Sequence, residues 1–296
     1  MNEQSVDLKK ANKKQASSLF KKNLRKFANN KLAMIGLVFV VVIVLASIFA
    51  PLLTHYDPSA INLREMSQSP NANHLLGTDK LGRDLLSRVL YGGRVSIYVG
   101  IFGAFSGSLI GMVLGSIAGY FGGKTDSILI RISEIFQTFP QMILIMILVT
   151  IIGQGVGNLI LVFSITGWMT TFRMVRNEFM ALRNETYVQV SEAFGMSKAS
   201  IMFKQILPNV LSPVIVATTV NVAGFILSEA GLSFIGVGVP SSVPTWGNIL
   251  NAAKSIEVVS NYWWLWAVPG AVISVFVLAI NFLGDGLRDV LDPKQQ

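Results

Sequence analysis

The chain has 296 residues, a net charge of +8, 52% hydrophobic and only 14% charged residues, with a mean hydropathy of +0.56. Soluble domains carry about 25% charged residues, so one ordinary globular core cannot absorb this apolar surplus, whereas a bilayer can. Cysteine is absent, which excludes disulfides, thiolate chemistry and Cys-based zinc sites.

Residues 1–31 hold nine basic side chains against Glu3 and Asp7. A nucleic-acid arm is one reading. The arm runs straight into an apolar segment, so topogenic lysines and attraction to anionic lipid explain it better. Phe20, Leu24 and Phe27 share a helical face, with Lys21, Lys22, Arg25 and Lys26 around the rest. That pattern predicts a helix lying on the membrane surface, with a disordered basic tail as the alternative.

Leu32–Leu53 is charge-free for 22 residues, enough to cross ~30 Å of hydrocarbon. A cleaved signal peptide would have a shorter apolar core and a small-residue cleavage site, so a spanning helix is expected. Residues 54–94 are polar and mixed in charge, and read as an outer loop. Val95–Gly123 is the second charge-free segment. Ile135–Phe172 is charge-free and too long for one span; Gly153–Asn158, GQGVGN, divides it into spans three and four. Residues 173–204 are polar, span five runs from Pro208 to about Glu229, 238–262 form a loop, and span six covers Trp263–Leu283. With both termini inside, the inner segments hold eighteen Lys and Arg and the outer segments six; the positive-inside rule therefore places both termini in the cytoplasm.

Span two carries Gly103, Gly107, Gly111, Gly115 and Gly119 at strict spacing of four. Such a stripe admits a close, crossed partner helix, either as plain packing or as a surface that slides. Ala118–Thr125, AGYFGGKT, has the letters of a relaxed phosphate loop. It follows a membrane helix instead of a strand, so a glycine turn is the better reading. His55 and His74 lack supporting metal ligands, and no nucleophile constellation stands out. Glu134, three residues from Arg131, and Glu229 near the end of span five are ionisable groups in spans. Either could line a polar path or serve as a paired structural charge. Pro140 is expected to kink span three.

The segment 173–208 reads as a helix–turn–helix with Gly195 near its middle and Pro208 at its end. Tyr187–Asn209, YVQVSEAFGMSKASIMFKQILPN, resembles the cytoplasmic EAA loop of ABC-importer permeases. Gly195, Ile206, Leu207 and Pro208 match that pattern. Gln189, Val190 and Ser191 fall where the three letters of the name belong, so the signature glutamate is missing, and Glu192 is out of register. Three more stretches, 74–96 (HLLGTDKLGRDLLSRVLYGGRVS), 228–247 (SEAGLSFIGVGVPSSVPTWG) and 281–293 (NFLGDGLRDVLDP), resemble the C-type permeases of oligopeptide/dipeptide/nickel importers. The likeness runs from about residue 20 to the end.

The resemblance implies an all-α integral membrane protein with six transmembrane helices and a type I importer permease core over 95–296, preceded by a basic segment (1–31) and a first helix with its outer loop (32–94). It implies no catalysis and no cofactor held by this chain. ATP-Mg would be used by two partner ATPase subunits, and further partners would be a homologous B-type permease and an extracytoplasmic binding protein delivering peptide, or nickel in one branch. The EAA-like residues Gln189, Ser191, Ala193, Gly195, Ile206, Leu207 and Pro208 would couple to an ATPase. Without the resemblance, an ion-coupled secondary transporter and a membrane hydrolase remain as other classes. The first would show internal repeats and the second a reactive constellation, and neither is seen.

Overall fold

A computed structural model describes residues 24–291. Most of residues 1–31, Phe20 among them, and the last five residues lie outside that range. Among the described residues five helices are long and apolar enough to cross a membrane, or six with one bent pair counted as a span.

The first spanning helix, α1 (Lys31–Ile48), starts where the Asn30 side chain accepts from the Ala33 amide at 3.1 Å. Its Val, Ile, Leu and Phe side chains are mostly exposed, as lipid-facing residues are. It attaches to the last helix, α10 (Trp264–Leu291), through small residues: a Cβ on Gly36 would lie 3.0 Å from Phe282 Cβ, and Gly286 sits against Ala33 and Phe27. The short helical stretch 24–29 is tied to the end of α10, since Asn30 Nδ2 donates to Asp289 at 3.0 Å and Lys26 Nζ to the Asp289 carbonyl at 2.6 Å.

The central helix, α2 (Leu85–Phe121), begins ten residues before the expected start of span two. Asp84 caps it by accepting from the Ser87 amide at 2.8 Å. Arg88 and Arg94, expected in a loop, are therefore helix residues. Arg94 donates to the carbonyls of Ser47 and Ile48 at 2.6 and 2.5 Å, closing the carbonyl end of α1. Arg88 is buried, donates to the Pro58 carbonyl at 3.0 Å and lies 3.6 Å from Asp79. A guanidinium with a carbonyl acceptor and a carboxylate beside it is no bar to a buried helix start.

After a turn at Gly122 and Gly123 come α3 (Gly123–Thr138) and α4 (Gln141–Ile152), bent 90° to one another. The expected kink at Pro140 is a right-angled elbow. Both turn glycines have positive φ, +64° and +55°. Lys124 and Thr125 thus enter α3 behind a chain reversal and not behind the strand a phosphate loop needs. Next come α5 (Val156–Thr166) and α6 (Trp168–Leu182), joined at Gly167. GQGVGN does separate α4 from α5, but the helix runs ten residues past the expected end of span four. Its polar end is held by Arg176, which forms a two-pronged ion pair with Asp126 of α3.

The fifth apolar segment, α8 (Leu207–Ile235), is reached through the short helix α7 (Thr186–Ala193) and the helical turns 198–206, which include a π-helical stretch at Ile201–Ile206. Pro208 therefore does not stop the chain. The Leu207 amide bonds five residues back to Met202, and this wider turn accommodates the missing Pro208 amide without a break. Helix α8 also runs six residues past Glu229, and α10 eight past Leu283, each beyond its expected end. Between α8 and α10 lies a loop holding α9 (Trp246–Leu250).

Helix α2 is the axis of the bundle. The five stripe glycines all face α5 and α6. A Cβ on Gly103 would lie 2.9 Å from the Phe163 ring, and one on Gly107 3.2 Å from the Gly167 backbone. Farther along, Gly111 faces Trp168, Thr171 and Phe172, Gly115 faces Phe172 and Val175, and Gly119 faces Arg176 and Phe179. On another side α2 meets α8, where Gly100 abuts Ile226. Phe163 stacks on Phe225 at 4.6 Å, and Trp246 meets Phe276 edge-on at 5.4 Å, joining α5, α8, α9 and α10 in one core.

Candidate functional site

The loop 183–208 stands at one end of the bundle on a small apolar base. Val188, Ile201, Met202 and Ile206 are buried against Val175 and Phe179 of α6, Tyr120 of α2, and Val210 and Val214 of α8. Tyr120 donates to Glu192 at 3.0 Å, a second tie to the central helix. On this base α7 points its other face outward. Phe194 is 85% exposed, and Val190 and Phe203 are exposed with it.

The chain turns at Gly195, whose φ is +75° and whose added Cβ would meet nothing. Conformation, not crowding, selects glycine there. Ser197 restarts the helix by accepting from the Ser200 amide at 3.3 Å. The EAA-like residues divide by environment. Gln189, Ala193 and Pro208 are exposed, Ser191 and Leu207 are half-buried, and Ile206 belongs to the base. Gln189 donates to the Asn184 carbonyl at 3.1 Å and Ser191 to the Tyr187 carbonyl at 2.8 Å. Gln189 therefore serves the loop itself and points no charge outward. The out-of-register Glu192 is the carboxylate that holds the loop to α2.

At the opposite end, Glu229 is wholly buried. It accepts from Ser96 of α2 and from Ser233, both at 2.8 Å, with Thr245 a third hydrogen-bond partner. The partners carry the network onward: Ser96 accepts from the Trp246 amide and Ser233 from the Val239 amide, each at 3.2 Å. Asn248 donates to the carbonyls of Val239, Pro240 and Val243 at 3.0 to 3.1 Å. The stretch 228–247 is thus a polar knot with Glu229 at its centre, and the carboxylate lines no open space. Glu134 is exposed on α3 and pairs with Arg131 at 2.9 Å. The two glutamates lie on different elements and form no joint site.

His74 is buried between Asp84, 2.8 Å from Nδ1, and Glu65, 3.4 Å from Nε2, while His55 is exposed. Among the described residues no three His, Cys, Asp or Glu side chains could hold a metal ion. The 74–96 stretch builds the loop that caps α2: Asp79 accepts from the amides of Leu81 and Arg83 and from Arg83 Nε at 2.7 to 3.0 Å.

Apolar helices long enough to cross a membrane are packed around a glycine-striped axis, with an anchored loop at one end. Residues 111–296 match the family model of the binding-protein-dependent transport system inner membrane component, and residues 18–71 that of the N-terminal TM domain of oligopeptide transport permease C. The chain belongs to this family of ABC-importer permeases. It is 38% identical over 288 residues to the oligopeptide transport system permease protein OppC of Bacillus subtilis, covering 97% of this chain and 93% of that one. It is 37% identical to the dipeptide transport system permease protein DppC of the same organism (91% and 84%), and 38% identical to DppC of Haemophilus influenzae (90% and 92%). An inward-facing structure of the MetNI methionine ABC transporter shares the fold, with a TM-score of 0.56 at 20% identity over 69% of this chain and 96% of that one.

Proposed function

We propose that this chain is one of two homologous permease subunits of an ATP-driven peptide importer in a bacterial cytoplasmic membrane, with both termini in the cytoplasm. The distribution of Lys and Arg supports that orientation, and the printed names of the relatives support peptide as cargo. An extracytoplasmic binding protein would deliver the peptide. Two ATPase subunits would bind and hydrolyse ATP-Mg, and this chain would carry no catalytic step and hold no cofactor.

The observation that carries the reading is the loop 183–208, here taken as the EAA coupling loop. It combines a rigid base with an exposed apolar tip. Phe194 protrudes into solvent on the end assigned to the cytoplasm, a costly arrangement for an isolated chain and a natural one for a docking anchor. Glu192–Tyr120 and the π turn into α8 would pass a push on α7 directly to α2 and α8.

Phe194→Asp is the test. Burial of a phenylalanine contributes roughly 1.5–3 kcal/mol, so the variant is expected to lose ATPase association and to lower ATP-coupled uptake by about tenfold or more. Its base is untouched, so it should insert and purify as the wild type does. Co-purification of ATPase in wild-type amount, with normal uptake, contradicts the coupling role.

A further inference from the structure

Gln137, Gln141 and Asn221 are amide side chains in or beside the apolar segments with no hydrogen-bond partner among the described residues. They line one cavity of about 510 Å³, together with Thr170 and Ser228. Asn221 is the middle residue of α8. The cavity also touches Gly167, the joint between α5 and α6, and both sides of the 90° elbow between α3 and α4. The α3–α4 elbow and the bend at Gly167 therefore converge on a polar hollow beside the middle of α8.

Each feature is unfavourable in lipid. An amide facing hydrocarbon without a partner costs several kcal/mol by transfer measures. Interrupted helices at membrane depth persist where they line a water-filled or protein-covered space. The amides are exposed or half-buried, so they face open volume and not their own core. Gly224, also in the lining, has nothing within 4 Å of an added Cβ, which keeps that wall of α8 flat. None of the lining residues is ionisable. Amides and hydroxyls both donate and accept, as does a peptide backbone, and they exert no net charge that would sort side chains.

We infer that this cavity is the chain's own stretch of the peptide path, and that Gln137, Gln141 and Asn221 take the backbone amides of the passing peptide whatever its side chains. The inference rests on the peptide reading above. Glutamates do not serve here: Glu229 is sealed in its knot and Glu134 is outside the lining.

The test uses the assembled transporter in membrane vesicles. Asn221→Leu and Gln141→Leu should each slow uptake roughly fivefold, the effect of one lost neutral hydrogen bond. The factor should be equal for neutral, lysine-containing and glutamate-containing tripeptides. Because the chain has no cysteine, Asn221→Cys gives a single label site on it. A water-soluble thiol reagent should modify it, peptide with binding protein and ATP should slow that modification, and Phe105→Cys on the exposed apolar face of α2 should stay unlabelled. Unchanged uptake in both leucine variants, a drop confined to one charge class, or an Asn221→Cys that resists the reagent overturns the inference, the last by placing the amides against the second permease. If the wild type imports none of the peptides, the peptide reading itself fails, and labelling alone then decides whether the cavity is a wet path.

Discussion

Gly111→Leu is expected to prevent stable assembly of the bundle. A side chain at 111 would run into the Trp168 carbonyl, the Phe172 amide at 2.8 Å and Thr171 Cβ at 2.9 Å. Overpacking a core costs roughly 1–3 kcal/mol when side chains can move aside. Here two of the three obstacles are backbone atoms of α6, so relief requires the helices to part. Parting them at 111 also opens the Gly107–Gly167 and Gly115–Val175 contacts on either side. Gly157→Ala is the matched control, since nothing lies within 4 Å of its added Cβ, and a helical Gly→Ala change stabilises by ~1 kcal/mol. Monodispersity and thermal stability in detergent decide the matter. A Gly111→Leu protein as stable as the control would mean that α2 and α6 do not approach as described.

The second large effect belongs to Glu229. Glu229→Leu removes the acceptor from Ser96 and Ser233 and leaves these buried hydroxyls without their partner. Each unsatisfied buried group costs about 1–3 kcal/mol, and the knot ties α2, α8 and the 236–245 loop together. The variant should unfold at markedly lower temperature and lose transport through instability. Glu229→Gln keeps the shape and one acceptor oxygen, so it should lose far less. A Glu229→Leu protein that is fully stable yet transports nothing would reverse the assignment and make Glu229 a pathway charge.

Much of this arrangement is legible in the residues, and the failures have physical causes. The glycine stripe is visible because a period of four has one meaning on a helix, close approach, and the structure shows what approaches. Pro140 announces a bend, but its right angle depends on α3 and α4 packing against different neighbours. The start of α2 is missed because Arg88 and Arg94 read as loop charges. They are helical because the Pro58 carbonyl accepts from Arg88 and the carbonyl end of α1 from Arg94, both distant in sequence, with Asp79 paired to Arg88 at 3.6 Å. Pro208 reads as a stop, yet a π turn carries the chain past it. Such a turn follows from the packing of Ile201, Met202 and Ile206 and leaves no composition signal. Glu229 reads as a path residue or a paired structural charge until Ser96, 133 residues away, is brought to it. The amides at 137, 141 and 221 carry no charge, so the residue pattern does not set them apart, although an unpaired amide in a span is also out of place.

The most direct measurement is uptake of labelled tripeptide by proteoliposomes containing this chain, its homologous permease, the two ATPases and the binding protein. ATP supplied on the side that carries the loop 183–208, with the binding protein on the other, should drive peptide toward the ATP side, and omission of ATP, of the binding protein or of this chain should abolish it. Peptide movement that needs only this chain and an ion gradient, or nickel uptake in place of peptide, would contradict the account.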